Sequence, residues 1–349
     1  MHIEARTTGR GRAYIAAPVA AVAASLVLCG VLLLASGAPL LTAYANLLLG
    51  ALGSPAAVAD TLTRATPLVF TGLAVAVAFR ARLWNIGAEG QFYAGAIAAV
   101  LAAQHVVTWP LWLALPAIGF AGALAGGMLF LVAVALKYRL NVDEVVTTLL
   151  SNFIALLLVS LLIDGPLKDP LSMGWPQSIP VDDSLRLGVV LDGSQLTYAF
   201  ALAGVIALIV WVYEARTVWG FESRVLGVNG MAARFAGMPV GRVTVRVALM
   251  SGGLAGVAGV CEVLGPRGFL VADMSPGYGY TGIVVATLAQ LHPLGVFAAA
   301  IFVAAIYVGA DAMSHTLSVS NYIAEVIVSV MLLTTLVSLF FTEYRIRRG

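Results

Sequence analysis

The chain has 349 residues, a net charge of +2 and a composition that is 61% hydrophobic and only 10% charged, with mean hydropathy +0.98. A water-soluble domain carries about 25% charged residues, so soluble architectures are excluded and an all-α polytopic membrane protein is expected. The small net charge, without a basic run interleaved with aromatics, argues against nucleic acid as a partner.

In chain order, the basic start "MHIEARTTGRGRAY" precedes an apolar run too long for a cleavable signal peptide, and predicts a first span over 14–36 held by Arg6, Arg10 and Arg12 in the cytoplasm. A minor segment over 40–64, containing "YANLLLGALGSP", reads as an interfacial helix. Apolar runs long enough to cross a bilayer then cover 91–107, 110–136, 144–164, 196–214, 244–264, 293–311 and 322–342. Two pieces, "LVFTGLAVAVAF" (68–79) and "TGIVVATLAQL" (281–291), are short and read as broken or re-entrant helices. Counting both gives about ten transmembrane helices, with the N- and C-termini cytoplasmic. That count leaves only Arg64, Lys168, Arg186 and Arg267 of the 19 basic residues outside, as the positive-inside rule requires. Cys29 and Cys261, far apart in apolar segments, read as packed thiols.

The chain is expected to form one transmembrane domain. Its first helical half covers 13–165, an extracytoplasmic loop covers 166–195, and a second half covers 196–349 with a basic cytoplasmic loop at 215–243. There is no G-x-x-x-x-G-K-[ST] phosphate loop; the two lysines, Lys137 and Lys168, each follow Leu. The four histidines are scattered, with no metal-ligand spacing, and no nucleophile elbow occurs, so neither a bound cofactor nor a catalytic residue is expected.

Polar chemistry concentrates in "LWNIGAEGQFYAG" (83–95), which follows the first short piece. Asn85 and Glu89 suit the cap and first turn of the next helix, where a carboxylate complements the helix dipole. The other reading places Asn85, Glu89 and Gln91 along a water-filled path, because ionisable residues in membrane segments face cavities or the bundle interior. The second short piece lies in "SPGYGYTGIVVATLAQLHPLG" (275–295), again with glycines and polar aromatics ahead of it. Paired interrupted segments in two halves point to a transport path and an internal pseudo-repeat. Tyr278 and Tyr280 join that path, as does Asn152, a buried amide that must brace a helix or face water. Gly87, Gly90, Gly277 and Gly279 are candidate hinges, although close helix packing explains glycines equally. Asp143 and Glu144 read as a cap and first-turn charge, Asp311 and Glu325 as solvated residues flanking the last outer loop, and Glu262 with Arg267 as an exposed pair.

These segments also carry a resemblance. "LWNIGAEGQFYAGAIAA" resembles the "FNIGAEGQ" signature of the branched-chain amino acid/simple sugar permease family of bacterial ABC importers, in particular its nucleoside/simple-sugar branch. "NVDEVVTTLLSNFIA" (141–155) is similar to that branch's "NEVITTLMLNYIA", and "VLGVNGMAARFAGMPVGRV" (225–243) to its "AVGENPEAARYAGI". The matches cover about 80–295 in family order; Gly230-Met231 replaces the usual Pro-Glu, and Ser151 differs before Asn152.

The resemblance implies a type II ABC importer-like permease in a bacterial cell membrane. Its partners would be ATPase subunits carrying the ATP and Mg, a second permease (a paralogue rather than an identical chain), and an extracytoplasmic solute-binding protein. It implies nucleosides as solute, with pentoses or hexoses as the alternative. Aromatics Trp84, Phe92, Tyr93, Tyr278 and Tyr280 are candidates for stacking on a base. It also makes 227–237 a coupling helix that docks on an ATPase through Arg224, Gly227, Asn229, Ala232, Ala233, Arg234 and Gly237, with Asn229 as its N-cap. A proton-coupled secondary transporter using Glu89 as a relay is the rival reading.

Overall fold

The computed structural model describes residues 2–5, 10–35, 39–317 and 344–347, with isolated positions between 322 and 338. Among these residues its regular elements are helices, apart from a four-residue strand pairing of His2–Ala5 with Tyr344–Arg347 that brings the chain ends together. Most of the predicted span at 322–342, and Glu325, lie outside the described residues.

Helix α1 covers Arg10–Ala35 and α2 Leu40–Leu52. Helix α3, Pro55–Arg80, starts at Ser54, whose hydroxyl accepts the Ala57 amide (3.1 Å), with Pro55 preset at the first helical position. The piece expected to be a short helix at 68–79 is the second half of this 26-residue helix. It reads as short because the first half carries Asp60, Thr61, Thr63, Arg64 and Thr66, and that polar half faces a cavity and other helices rather than lipid. Pro67 does not interrupt it. The expected interfacial segment at 40–64 is thereby divided between α2, which packs on α12, and the start of α3.

After the non-helical stretch 81–87 come α4 (Ala88–Val106), α5 (Leu111–Leu140) and α6 (Glu144–Asp164). Asp143 caps α6 by accepting the Val145 amide (2.7 Å), as expected, and Glu144 pairs with Lys137. A long loop with a 3₁₀ turn at Asp183–Leu185 leads to α7 (Ala199–Arg216), α8 (Val218–Val228), α9 (Gly230–Phe235) and α10 (Val240–Glu262). Helix α10 ends in a π turn at Val263–Arg267, and the chain closes its described part with α11 (Tyr278–Leu288) and α12 (Pro293–Leu317). Six of the described helices (α3, α5, α6, α7, α10 with its π turn, and α12) are long and apolar enough to cross a membrane. Helix α11 has 11 residues, about 16 Å, half of a crossing.

The packing has an inverted internal pattern. Chain order α3, irregular segment, α4, α5 is matched by α10, irregular segment, α11, α12, and each leading helix packs on the other half: α3 on α11 and α12, α10 on α4 and α5. The two halves therefore share one apolar core. Close approach of α10 to α5 needs glycine: a Cβ on Gly256 would lie 2.2 Å from the Gly122 carbonyl oxygen. Cys29 and Cys261 are buried free thiols, as expected.

The irregular backbone 264–270 is satisfied by the long loop. Ser178 and Val181 donate to the Leu270 and Gly268 carbonyls (2.9 and 2.8 Å), Leu187 donates to Leu264 (2.8 Å), and the Arg186 guanidinium donates to Gly265 (2.9 Å). Non-helical chain within a bundle is tolerated only where protein or water pairs it, and here a loop does so.

Gly256→Ala is expected to destabilise the purified protein by about 1–3 kcal/mol through overpacking. Gly241→Ala, where an added Cβ meets nothing within 4 Å, is the matched control and should leave the detergent unfolding transition in place.

Candidate functional site

The site is built where two irregular segments re-enter the bundle. After Arg80 the chain turns at Arg82 (φ 55°) and climbs back along α3. Asn85 donates to the Ser251 hydroxyl (2.9 Å), which donates to the Ala74 carbonyl (2.6 Å), so Asn85 lies level with a residue about 9 Å up α3 from its end. Asn85 and Gln91 exchange two hydrogen bonds between their amides (2.9 and 2.8 Å), and Asn85 Oδ1 also accepts the Gly87 amide (3.0 Å). Both side chains are wholly buried. Asn152 of α6 completes the brace: it accepts from the Gly90 amide (2.8 Å) and donates to the Ile86 carbonyl and the Tyr280 hydroxyl (3.0 Å each). Asn85 and Asn152 thus satisfy backbone that the interrupted helix leaves unpaired, and Gln91 holds the Asn85 amide in place.

Helix α11 begins beside this brace. Ser275 Oγ accepts the Gly277 and Tyr278 amides (3.1 and 2.9 Å), Gly277 takes a left-handed φ of 88°, and Thr71 of α3 donates to the Tyr278 carbonyl (3.0 Å). The Gly279 amide donates to Glu89 Oε2 (2.6 Å). Glu89 sits in the first turn of α4, as expected, but its carboxylate crosses to the first turn of α11 instead of capping its own helix. Two helix N-termini, each with partial positive charge, converge on one carboxylate. They come this close because position 279 has no side chain; a Cβ there would stand 2.1 Å from the Glu89 nitrogen. The candidate hinges divide accordingly. Gly277 alone has positive φ, whereas Gly87 and Gly90 abut Thr148 and Asn152.

A polar cavity of about 920 Å³ opens over this meeting point, with Tyr278 in its wall. Its lining comes from the polar half of α3 (Asp60, Arg64), from α12 (Asp311) and from the end of α10 and the following loop (Glu262, Arg267, Phe269, Asp273). Asp311 is inside α12 and paired with Arg64, not in a flanking loop, and Arg64 stacks over the Tyr307 ring at 5.1 Å. Glu262 is 6% exposed, so the pair expected at the surface has a buried carboxylate 3.7 Å from Arg267. Sequence reasoning passed over Arg64, Phe269 and Asp273; the only available signal was the polar run 60–66 ahead of an apolar piece. Of the five candidate stacking aromatics, Tyr278 lines the cavity. Trp84 packs edge-on to Phe79, Phe92 is in the core, Tyr93 bonds the Ala272 carbonyl (2.6 Å), and Tyr280 binds Asn152.

At the Arg80 end of α3, about 24 Å from Arg64, the predicted coupling region forms two helices rather than one. Asn229 breaks them and caps α9, accepting the Met231 and Ala232 amides (3.0 and 3.1 Å). Gly237 ends α9 with φ 77°. Gly227 belongs to α8 and presses on the Arg80 carbonyl, where a Cβ would stand 2.1 Å away. Arg224 donates to the Glu214 carbonyl and is partly buried. Ala233 is buried, Ala232 and Arg234 are exposed, and Met231 (82%) and Phe235 (97%) project into solvent. Arg80 ties this region inward through Glu214 Oε2 (2.7 Å) and the Leu291 carbonyl (2.9 Å) in the α11–α12 turn.

The amide pair predicts non-additive energetics. Asn85→Leu and Gln91→Leu should each cost about 1–3 kcal/mol by stranding a buried amide, while the double variant costs little more than the worse single one. A double-mutant cycle on unfolding in detergent measures this.

Comparison with known proteins agrees with this architecture. The family described as "Branched-chain amino acid transport system / permease component" matches residues 57–336. A glucose ABC transporter permease of Haloferax volcanii is 33% identical, with 95% of this chain and 91% of that protein covered. A guanosine ABC transporter permease of Bacillus subtilis is 32% identical over 92% of each chain, and a nucleoside ABC transporter permease of Lactococcus lactis is 28% identical over 85% and 84%. The chain belongs to this permease family, as a multi-pass ABC transporter subunit that leaves ATP hydrolysis to separate subunits.

Proposed function

We propose that this chain is the translocating subunit of an ATP-driven importer for nucleosides, with simple sugars as the second reading. The observation that carries the proposal is the polar cavity that ends at Tyr278 and the α4–α11 meeting point, with exposed α8–α9 at the other end of α3. In this reading the cavity faces outward and receives solute from an extracytoplasmic binding protein. The basic α8–α9 end faces the cytoplasm and docks on an ATPase through Met231, Arg234 and Phe235. The chain crosses the membrane about ten times, adding to the six long helices α1, α4, α11 together with the irregular segment that leads into it, and the span the sequence predicts at 322–342; both ends are cytoplasmic. A second permease, a paralogue or a copy, completes the path, and ATP with Mg is held by the ATPases. Nucleosides are supported by the guanosine and nucleoside permeases among the relatives, and sugars by the glucose permease.

Mechanically, closure of the ATPases displaces α8–α9. Gly227 bears on the Arg80 carbonyl, and Arg80 holds both Glu214 and the α11–α12 turn, so a displacement there moves α3 and α11 together. Movement of α11 stretches the Glu89–Gly279 bond and parts the two helix starts. Asn85, Gln91 and Asn152 keep the α4 side rigid, and the Asn152–Tyr280 bond (3.0 Å) breaks as Tyr278 and Tyr280 travel with α11. Gly277 is the pivot, because its left-handed backbone lies outside the helix it begins.

Arg234→Glu should reduce ATP-dependent uptake of guanosine at least about tenfold in proteoliposomes containing the whole transporter, with basal ATP hydrolysis retained. Normal uptake in this variant would remove α9 from the docking surface. Ala233 is the wrong site for that test, since a charge there would unfold α9. In the same vesicles, uptake should need ATP on the ATPase side and persist when a protonophore collapses the proton gradient; the opposite pair of results establishes the proton-coupled rival.

A further inference from the structure

The cavity wall contains two polar groups that have no hydrogen-bond partner among the described residues. Glu262 is 6% exposed, its charge partner Arg267 stands 3.7 Å away, beyond hydrogen-bond reach, and no described donor contacts its carboxylate. Tyr278 is 8% exposed, and its hydroxyl has no partner among the described residues although its backbone is fully used. Buried carboxylates and hydroxyls are otherwise almost always hydrogen-bonded. Both groups line the same cavity, and both sit where α10 ends and α11 begins, next to the site that must open.

We infer that Glu262 and Tyr278 form a hydroxyl-reading site within the permease, which accepts a neutral, polyhydroxylated ring such as the sugar moiety of a nucleoside. A carboxylate accepts from two adjacent hydroxyls at once, and a phenol donates to a ring or glycosidic oxygen or accepts a third hydroxyl. Phe269, in the same wall, offers an apolar face to the ring. Solute hydroxyls replace the water that otherwise solvates these two groups, so the preference for hydroxyls follows from what would be left unpaired without them.

The charge of the wall defines what is refused. Asp60, Glu262, Asp273 and Asp311 face Arg64 and Arg267, a formal balance of −2. Arg64 is already committed to Asp311. A phosphate ester entering this cavity meets the carboxylates of Asp60, Glu262 and Asp273 against a single uncommitted guanidinium, Arg267, too few cations to clamp it, and like charges in a confined space are rejected. The site therefore passes the free sugar or nucleoside and excludes its phosphorylated form, irrespective of what a binding protein delivers.

This inference rests on the importer reading but is tested apart from it, by solute binding to the assembled permease–ATPase complex in nanodiscs without any binding protein. Radiolabelled guanosine is the first probe, competed by 2′,3′-dideoxyguanosine and by guanosine 5′-monophosphate; glucose, its 2-deoxy form and its 6-phosphate form a parallel series. The wild-type complex should bind the hydroxylated member roughly 10- to 100-fold more tightly than the deoxy member, and more than about tenfold more tightly than the phosphate ester. Glu262→Ala should close the first gap, and Tyr278→Phe should narrow it. Asp60→Asn with Asp273→Asn should narrow only the gap to the phosphate. The wild-type comparison needs no folded variant. Equal affinity of the wild type for hydroxylated and deoxy members in both series overturns the site, even if ATP-driven uptake stands. A preference that survives Glu262→Ala reassigns it to other residues and overturns the inference as well. Loss of ATP-dependent uptake for both solute classes would instead overturn the importer reading.

Discussion

Two helices that begin inside an apolar bundle expose up to four backbone N–H groups each, and no bilayer can solvate them. The rest of this structure is arranged around that constraint. The starts of α4 and α11 are brought together so that one carboxylate, Glu89, serves both: it lies in the first turn of one helix and accepts the Gly279 amide of the other. Ser275 accepts the Gly277 and Tyr278 amides, and Asn152 accepts the Gly90 amide. The result is a contact between two halves of the molecule that is polar, specific and breakable, in a place where apolar packing would be permanent.

The supports on either side of that contact differ in kind. On the α4 side, Asn85, Gln91 and Ser251 form an amide and hydroxyl network, and Asn152 ties the backbone at Ile86 and Gly90 to α6, which makes that side stiff. On the α11 side, the approach from α10 is a π turn and loop whose backbone is paired by another loop, and the helix itself is only half a membrane thick. A conformational change has less to break on the second side. The same asymmetry places the polar cavity over α11, where Glu262 and Tyr278 face open space.

The cavity and the α8–α9 region are linked by α3 and by α10, which runs from just after α9 to Glu262 in the cavity wall. Arg64 holds α12 near the cavity, and Arg80 holds α7 and the α11–α12 turn at the other end. A rigid rod with an ion pair at each end is a simple means of coupling two sites, since displacing either end reorients the partners of both.

Much was legible in the residues themselves. Composition established a polytopic helical protein, and basic-residue asymmetry gave a consistent topology. The polar glycine-rich stretches at 83–91 and 275–282 marked the backbone that had to be irregular, because only local sequence determines where a helix can start and stop. Asp143 and Asn229 were readable as caps for the same reason. What tertiary structure decided was the partner of each polar group. Glu89 reads as a cap for its own helix until α11 is placed beside it; Asp311 and Glu262 read as solvated until Arg64 and the cavity wall appear around them; and 68–79 reads as half a span because the polar turns before it face protein and water rather than lipid. Propensity and hydropathy depend on neighbours a few residues away, whereas the solvation of a buried charge depends on groups that come within reach only when distant helices pack.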